Sequence, residues 1–131
     1  MKKIVFLSVI VVALLCSCGS SDDDQVEEKI TPTSIIGHTY SAMYFNDCVI
    51  YKFNSDGSLS IEERSGSEEG TLKDSSVGKY SVSGLTLNLD IPSMKGCDDC
   101  FNYFTATISS DYRSFTYKIV GDYTMNFKII K

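Results

Sequence analysis

The chain has 131 residues, with 12 Lys and Arg against 17 Asp and Glu and a formal net charge of −5. That length suits one small core and excludes a two-lobed cofactor enzyme. The negative balance gives no electrostatic reason to meet a polyanion, which excludes nucleic acid as a partner.

The first elements concern address rather than fold. Met1-Lys2-Lys3 forms a basic n-region, and Ile4 to Leu15 is apolar except for Ser8. That run fits a signal-peptide h-region and is too short for a membrane span, which needs about 20 residues. Leu15-Cys16-Ser17-Cys18 then resembles the lipobox of bacterial lipoproteins: an aliphatic residue at −3, a small one at −1, then the cysteine that receives lipid. The resemblance implies that residues 1–17 leave as a signal peptide, Cys16 with them, and that Cys18 anchors the chain to the membrane by lipid. A plain secretory peptide is the alternative. Residues 18–34 carry Asp22-Asp23-Asp24 and Glu27-Glu28 and read as a self-repelling, hydrated, disordered tether. The stretch is also similar to the acidic signal that places some Gram-negative lipoproteins on the cell surface, although a simple spacer would look the same. The folded domain is expected over residues 35–131, where 12 acidic residues face 9 basic ones.

From Ile35 onward the apolar residues recur with period two, and no stretch sustains a 3.6 period. His38 to Phe45 is the first expected strand. Val49, Tyr51 and Phe53 alternate into Asn54-Ser55-Asp56-Gly57, a strong hairpin turn, and Leu59 and Ile61 follow. Ser65 to Val77 reads as a long Gly/Ser/Glu loop in which Thr71-Leu72-Lys73 could add a short strand. Tyr80 and Val82 alternate up to Gly84. Leu85, Leu87, Leu89 and Ile91 form the clearest half-buried strand. Pro92 to Cys100 is a loop, and Phe101 to Ser109 is a strand with two apolar sets, so its facing is open. Arg113 to Val120 and Tyr123 to Ile129 complete the series. Eight strands joined by short turns predict an all-β antiparallel up-and-down meander, closed into a barrel that removes its edges. A two-sheet β-sandwich is the alternative.

Three segments carry a further resemblance: Ile35-Ile36-Gly37, Tyr51-Lys52-Phe53-Asn54-Ser55-Asp56-Gly57-Ser58-Leu59, and Gly78-Lys79-Tyr80-Ser81-Val82-Ser83-Gly84-Leu85-Thr86-Leu87. Together they look like the small lipocalin-like lipoproteins of Gram-negative bacteria. Those typically open with a Gly-x-Trp segment, run an aromatic strand into an Asp-Gly turn, and later carry a Gly-x-Tyr strand. Here Gly37-His38-Thr39-Tyr40 stands where the tryptophan is expected, which assigns the barrel floor to Tyr40. The resemblance implies a lipocalin-like barrel of the outer membrane. It implies a fold more than an activity.

Chemistry-bearing residues are few. Past Cys18 the cysteines are Cys48, Cys97 and Cys100. Cys97-Asp98-Asp99-Cys100 has C-x-x-C spacing, but its two carboxylates would raise the thiol pKa, against a redox role. A zinc site would have to recruit Cys48 and His38. In an oxidising compartment the expected outcome is one disulfide among the three cysteines, Cys97–Cys100 by local closure or a bridge to Cys48. The bridge to Cys48 requires the turn at Asn46-Asp47 and the loop holding Cys97 to share one end of the barrel. A full extra strand at Thr71–Lys73 would separate them. At that same end, Glu68, Glu69, Asp98 and Asp99 would form an acidic rim if those loops meet; solvated loop charges are the plainer reading. No nucleophile–base arrangement is available to the lone His38, and neighbouring carboxylates on a strand point opposite ways. The chain is therefore expected to be a non-enzymatic, lipid-anchored module without cofactor or metal. It would hold a small apolar or amphipathic ligand, or else be a packed scaffold that meets a protein or glycan.

Overall fold

The computed structural model describes residues 32–92, 103–119 and 121–131. Its eight strands are β1 (Thr39–Tyr44), β2 (Asp47–Phe53), β3 (Ser58–Ser65), β4 (Leu72–Ser83), β5 (Thr86–Asp90), β6 (Tyr103–Ile108), β7 (Ser114–Lys118) and β8 (Thr124–Ile129). They form a closed barrel in which each strand pairs antiparallel with its sequence neighbour and β1 closes on β8. This is the up-and-down meander expected from the period-two pattern, and the sandwich alternative falls away.

Turn chemistry explains where the chain reverses. At residues 54–57, Gly57 takes φ +84, and the Asp56 carboxylate accepts hydrogen bonds from the Ser58 backbone N–H at 2.9 Å and its hydroxyl at 2.6 Å. Those bonds stabilise the charged form and hold the Asp56 pKa below its ordinary value. Gly84 and Gly121 also sit at positive φ in the turns after β4 and β7.

The loop expected over Ser65–Val77 is a correction. β3 runs to Ser65, and Leu72 to Val77 belongs to the twelve-residue β4, whose register pairs run from Arg64↔Leu72 to Ser58↔Lys79. Thr71–Lys73 is thus the start of β4 and not a separate strand. Ser, Asp and Lys disguise this half of β4 because it is exposed along most of its length, so no apolar alternation marks it. What remains of the loop is Gly66–Thr71.

Strand parity then assigns the two ends. One, called the tether end after the segment expected to lead into it, holds residues 32–38, Lys131 and the turns at 54–57, 84–85 and 109–113. The other, the far end, holds the turns at 45–46 and 66–71, Ile119 and residues 121–123, the end of β5 and the start of β6. The core runs between them. Tyr40, Phe53, Leu59, Leu87 and Phe127 are fully buried, and Ile35 packs beneath them from the tether end. Two residues expected inside are not: Leu85 and Tyr123 are 40% and 42% exposed, because each sits in a turn where strand alternation has lapsed. In β6 the structure resolves the ambiguous facing, with Ala106 and Ile108 buried and Tyr103 76% exposed.

Gly78 shows why a Gly-x-Tyr pattern belongs here. It lies where β4 passes from pairing with β3 to pairing with β5, and a Cβ on it would stand 2.5 Å from the Asp90 carbonyl oxygen. Only glycine permits that approach. Two residues on, the Tyr80 hydroxyl donates to the Asn54 carbonyl at 2.5 Å and its ring meets Phe53 edge-on at 4.9 Å.

Candidate functional site

Three regions could carry function: the interior, the far end, and the outer wall over β1, β2 and β8.

The interior is occupied by rings. Phe127 stacks on Tyr51 at 4.5 Å and on Phe115 at 4.6 Å, and Tyr117 lies 5.7 Å away on its other flank. Tyr40 meets Phe53 and Phe115 edge-on, at 5.6 and 5.3 Å, and is fully buried. Its hydroxyl donates to the Tyr112 carbonyl at 2.6 Å. The hydroxyls of Tyr51 and Tyr117 share a buried hydrogen bond of 2.8 Å. Burial disfavours both phenolates: the Tyr117 pKa is pushed up to about 12 and that of Tyr51 well above its ordinary value. Protonated and paired, these hydroxyls hold the ring stack together and present no free acid or base. Among the described residues, a small pocket of about 40 Å³ opens toward the far end beside Val49, Ile61 and Ile91.

At the far end three aromatic rings meet, Tyr44 packed against the core and Phe45 and Tyr123 exposed beyond it. Tyr44 contacts Phe45 edge-on at 4.7 Å and Tyr123 at 5.6 Å, while Phe45 and Tyr123 lie parallel at 6.0 Å. Phe45 is 76% exposed and takes φ +53, a left-handed backbone that costs a bulky side chain about 1–2 kcal/mol. The period-two pattern ran Phe45 into the first expected strand and Tyr123 into the last, whereas both lie in turns; a phenylalanine at a reversal where glycine is preferred was the available signal.

The outer wall is where Glu68 and Glu69 lie. Outward-facing Cys48 and Ile50 are nonetheless buried under the Gly66–Thr71 strap, and each lies at the bottom of a groove that strap residues also line. The Glu68 carboxylate accepts from the Ser41 hydroxyl, the Gly66 N–H donates to the Asn46 carbonyl at 2.9 Å, and Arg64 donates to the Gly70 carbonyl at 3.2 Å. One groove, of about 700 Å³, runs along Met43, Cys48, Asn126 and Lys128; the other, of about 570 Å³, runs along Ile50, Lys52 and Arg64. Burial, and then the Glu68 carboxylate, push the Cys48 thiol pKa up, while Arg64 opposes them. A thiol so held is a poor nucleophile.

The strand count settles one conditional. With no extra strand at Thr71–Lys73, the Asn46 turn and the connection leaving β5 share the far end, as a Cys48 bridge would require. Cys18, Cys97, Asp98, Asp99 and Cys100 lie outside the described residues, so neither the disulfide nor the four-carboxylate rim is placed. His38 and Cys48 are not brought together. His38 sits at the tether end, its ring Nδ1 3.2 Å from the Lys131 carbonyl, whereas Cys48 pairs with Met43 toward the far end. Five strand positions separate them, about 16 Å at the usual rise. Among the described residues no three His, Cys, Asp or Glu side chains group as metal ligands. Compared with family models, curated proteins and solved structures, the chain matches none.

Proposed function

We propose that this chain is a non-enzymatic, lipid-anchored interaction module of the bacterial cell envelope, a packed barrel that presents its far end and outer wall to a partner. The ring packing that fills the interior among the described residues is the observation that carries this reading. Ligand cavities start at about 300 Å³, whereas the opening beside Val49, Ile61 and Ile91 is about 40 Å³. A small apolar guest, the competing reading, would have to displace rings stacked at 4.5–4.6 Å.

Address follows from the N-terminal pattern. Lipid on Cys18, the basic and apolar segments before it and the acidic stretch after it suit an outer-membrane lipoprotein, exposed on the cell surface if the acidic stretch acts as an export signal. The chain enters the barrel at the end opposite the Tyr44–Phe45–Tyr123 cluster. A tether fixed there leaves the aromatic end pointing away from the membrane, toward whatever approaches from solution.

The test uses the full lipidated chain. Native mass spectrometry after purification, together with titration of an environment-sensitive apolar fluorophore, should find no retained small molecule and no saturable interior site. A co-purified lipid, or a fluorophore quenched by nitroxide at Phe115, would overturn the reading in favour of a carrier.

A further inference from the structure

The barrel is not equally closed around its circumference. β7 and β8 pair with each other at five register positions. Each joins the rest of the barrel by only two: Thr107↔Thr116 and Ile108↔Phe115 on one side, Tyr40↔Ile129 and Ser41↔Lys128 on the other. All four pairs lie toward the tether end. Beyond Ser41, β1 runs on to Tyr44 and β8 reaches back to Thr124 without a ladder between them. Two strand edges therefore carry main-chain donors and acceptors with no partner across the seam, a condition that natural barrels otherwise abolish by closing.

The larger outer-wall groove opens at this place. Ala42 lines it although its side chain lies on the core face, which puts the β1 backbone itself at the groove wall. Met43 and Cys48 supply an apolar floor; the exposed Glu68 and Glu69 line the groove with two carboxylates against the single exposed ammonium of Lys128. The exposed Phe45 follows Met43 by two residues and Tyr123 precedes Asn126 by three, both at the far end of the barrel.

We infer that the far half of the β1–β8 seam is a docking groove for an extended, basic polypeptide segment of a partner protein. The inference rests on the interaction-module reading above. Unpaired strand edges recognise a main chain that repeats donor and acceptor at the strand spacing, which a glycan or a lipid headgroup does not do. Main-chain bonds supply the attraction, and alternate side chains then read the flanks. One meets the carboxylates of Glu68 and Glu69, which favour Lys or Arg; another reaches the exposed rings of Phe45 and Tyr123, a surface of the kind that anchors interfaces. Phe45, held exposed in a strained backbone, suits that role.

The experiment selects random peptides of strand length, displayed on phage, against the full lipidated chain in detergent. Binders should be enriched in Lys or Arg and in an apolar residue. An N-methylated analogue, blocked at alternate amides, should bind about tenfold or more weakly, since it loses main-chain donors. Glu69→Lys should weaken the same peptides about fivefold or more, and their binding should perturb the backbone amide resonances of Met43 and Asn126. Glu69 is exposed, so that variant is expected to fold; unchanged circular dichroism checks it. The inference is overturned by any of four results: no enriched peptide, affinity indifferent to N-methylation, binding confined to a glycan array, or seam pairing between two copies of the chain seen as a dimer. An interior that excludes the apolar fluorophore while no peptide binds refutes the groove alone. An interior that takes it up refutes the module.

Discussion

The β1–β4 wall and the β7–β8 hairpin are built from similar residues and held in place by different forces. β2 and β3 pair at seven register positions and β3 and β4 at seven, so an unbroken backbone ladder holds that wall together beneath its core side chains. The hairpin leans on two pairs at each side, and what keeps it against the barrel is side-chain contact. Inside, Phe115 and Phe127 stack on Tyr51, and the Tyr117 hydroxyl bonds that of Tyr51; at the tip, Tyr123 stacks on Phe45. The difference teaches that closure of a barrel need not be a property of its ladders. Rings can complete what hydrogen bonds leave open, and the place where they do so is the place where a foreign strand would find free edges.

The largest test of that contrast is Phe127→Ala. The ring is fully buried and touches three others, so its loss should cost about 3–5 kcal/mol in chemical denaturation and release the hairpin before the wall. High pH attacks the same contacts. The pKa values of Tyr40 and Tyr117 stand at about 12 in the fold against 10.0 for the free side chain. The folded chain therefore binds more protons between those values, and stability that is complete below pH 10 should fall steadily as pH rises toward 12. A denaturation midpoint unchanged across that window would count against the buried hydroxyls. Tyr51→Phe should cost about 1–3 kcal/mol by leaving the Tyr117 hydroxyl buried without a partner, and adding Tyr117→Phe should restore part of the loss rather than add to it.

Smaller changes separate the strap and the tip from the core. A Cβ at Gly70 would stand 1.7 Å from the Ser65 carbonyl oxygen, so Gly70→Ala must move the strap. Stability should drop by about 1–2 kcal/mol, while the Cys48 thiol, shielded in the parent, should become reactive toward a thiol reagent. Tyr123→Ala removes two exposed ring contacts and should cost only about 1 kcal/mol. Its signature is local: amide exchange should quicken at Met125 and Asn126 and stay unchanged in β2 and β3.

Period-two alternation determined a great deal. Val49, Tyr51, Phe53, Leu87, Leu89, Phe115 and Phe127 could be assigned inward from the pattern alone, because a strand's side chains alternate faces whatever its neighbours are. Asn54 to Gly57 could be assigned to a turn for an equally local reason, its side-chain and glycine geometry. The exposed half of β4 could not be read, since a strand without a buried face carries no alternation to see. Tyr123 and Leu85 continued the apolar rhythm into turns, where rhythm ceases to report burial. Most of all, no local pattern announces that β8 parts from β1 beyond Lys128, that the strap covers Cys48 and Ile50, or that Phe45 and Tyr123, 78 positions apart in the chain, lie ring against ring. Those depend on strand register and barrel closure, which bring together residues distant in sequence. Local periodicity chose the strands and their faces; only the closed tertiary structure decided where the barrel stays open.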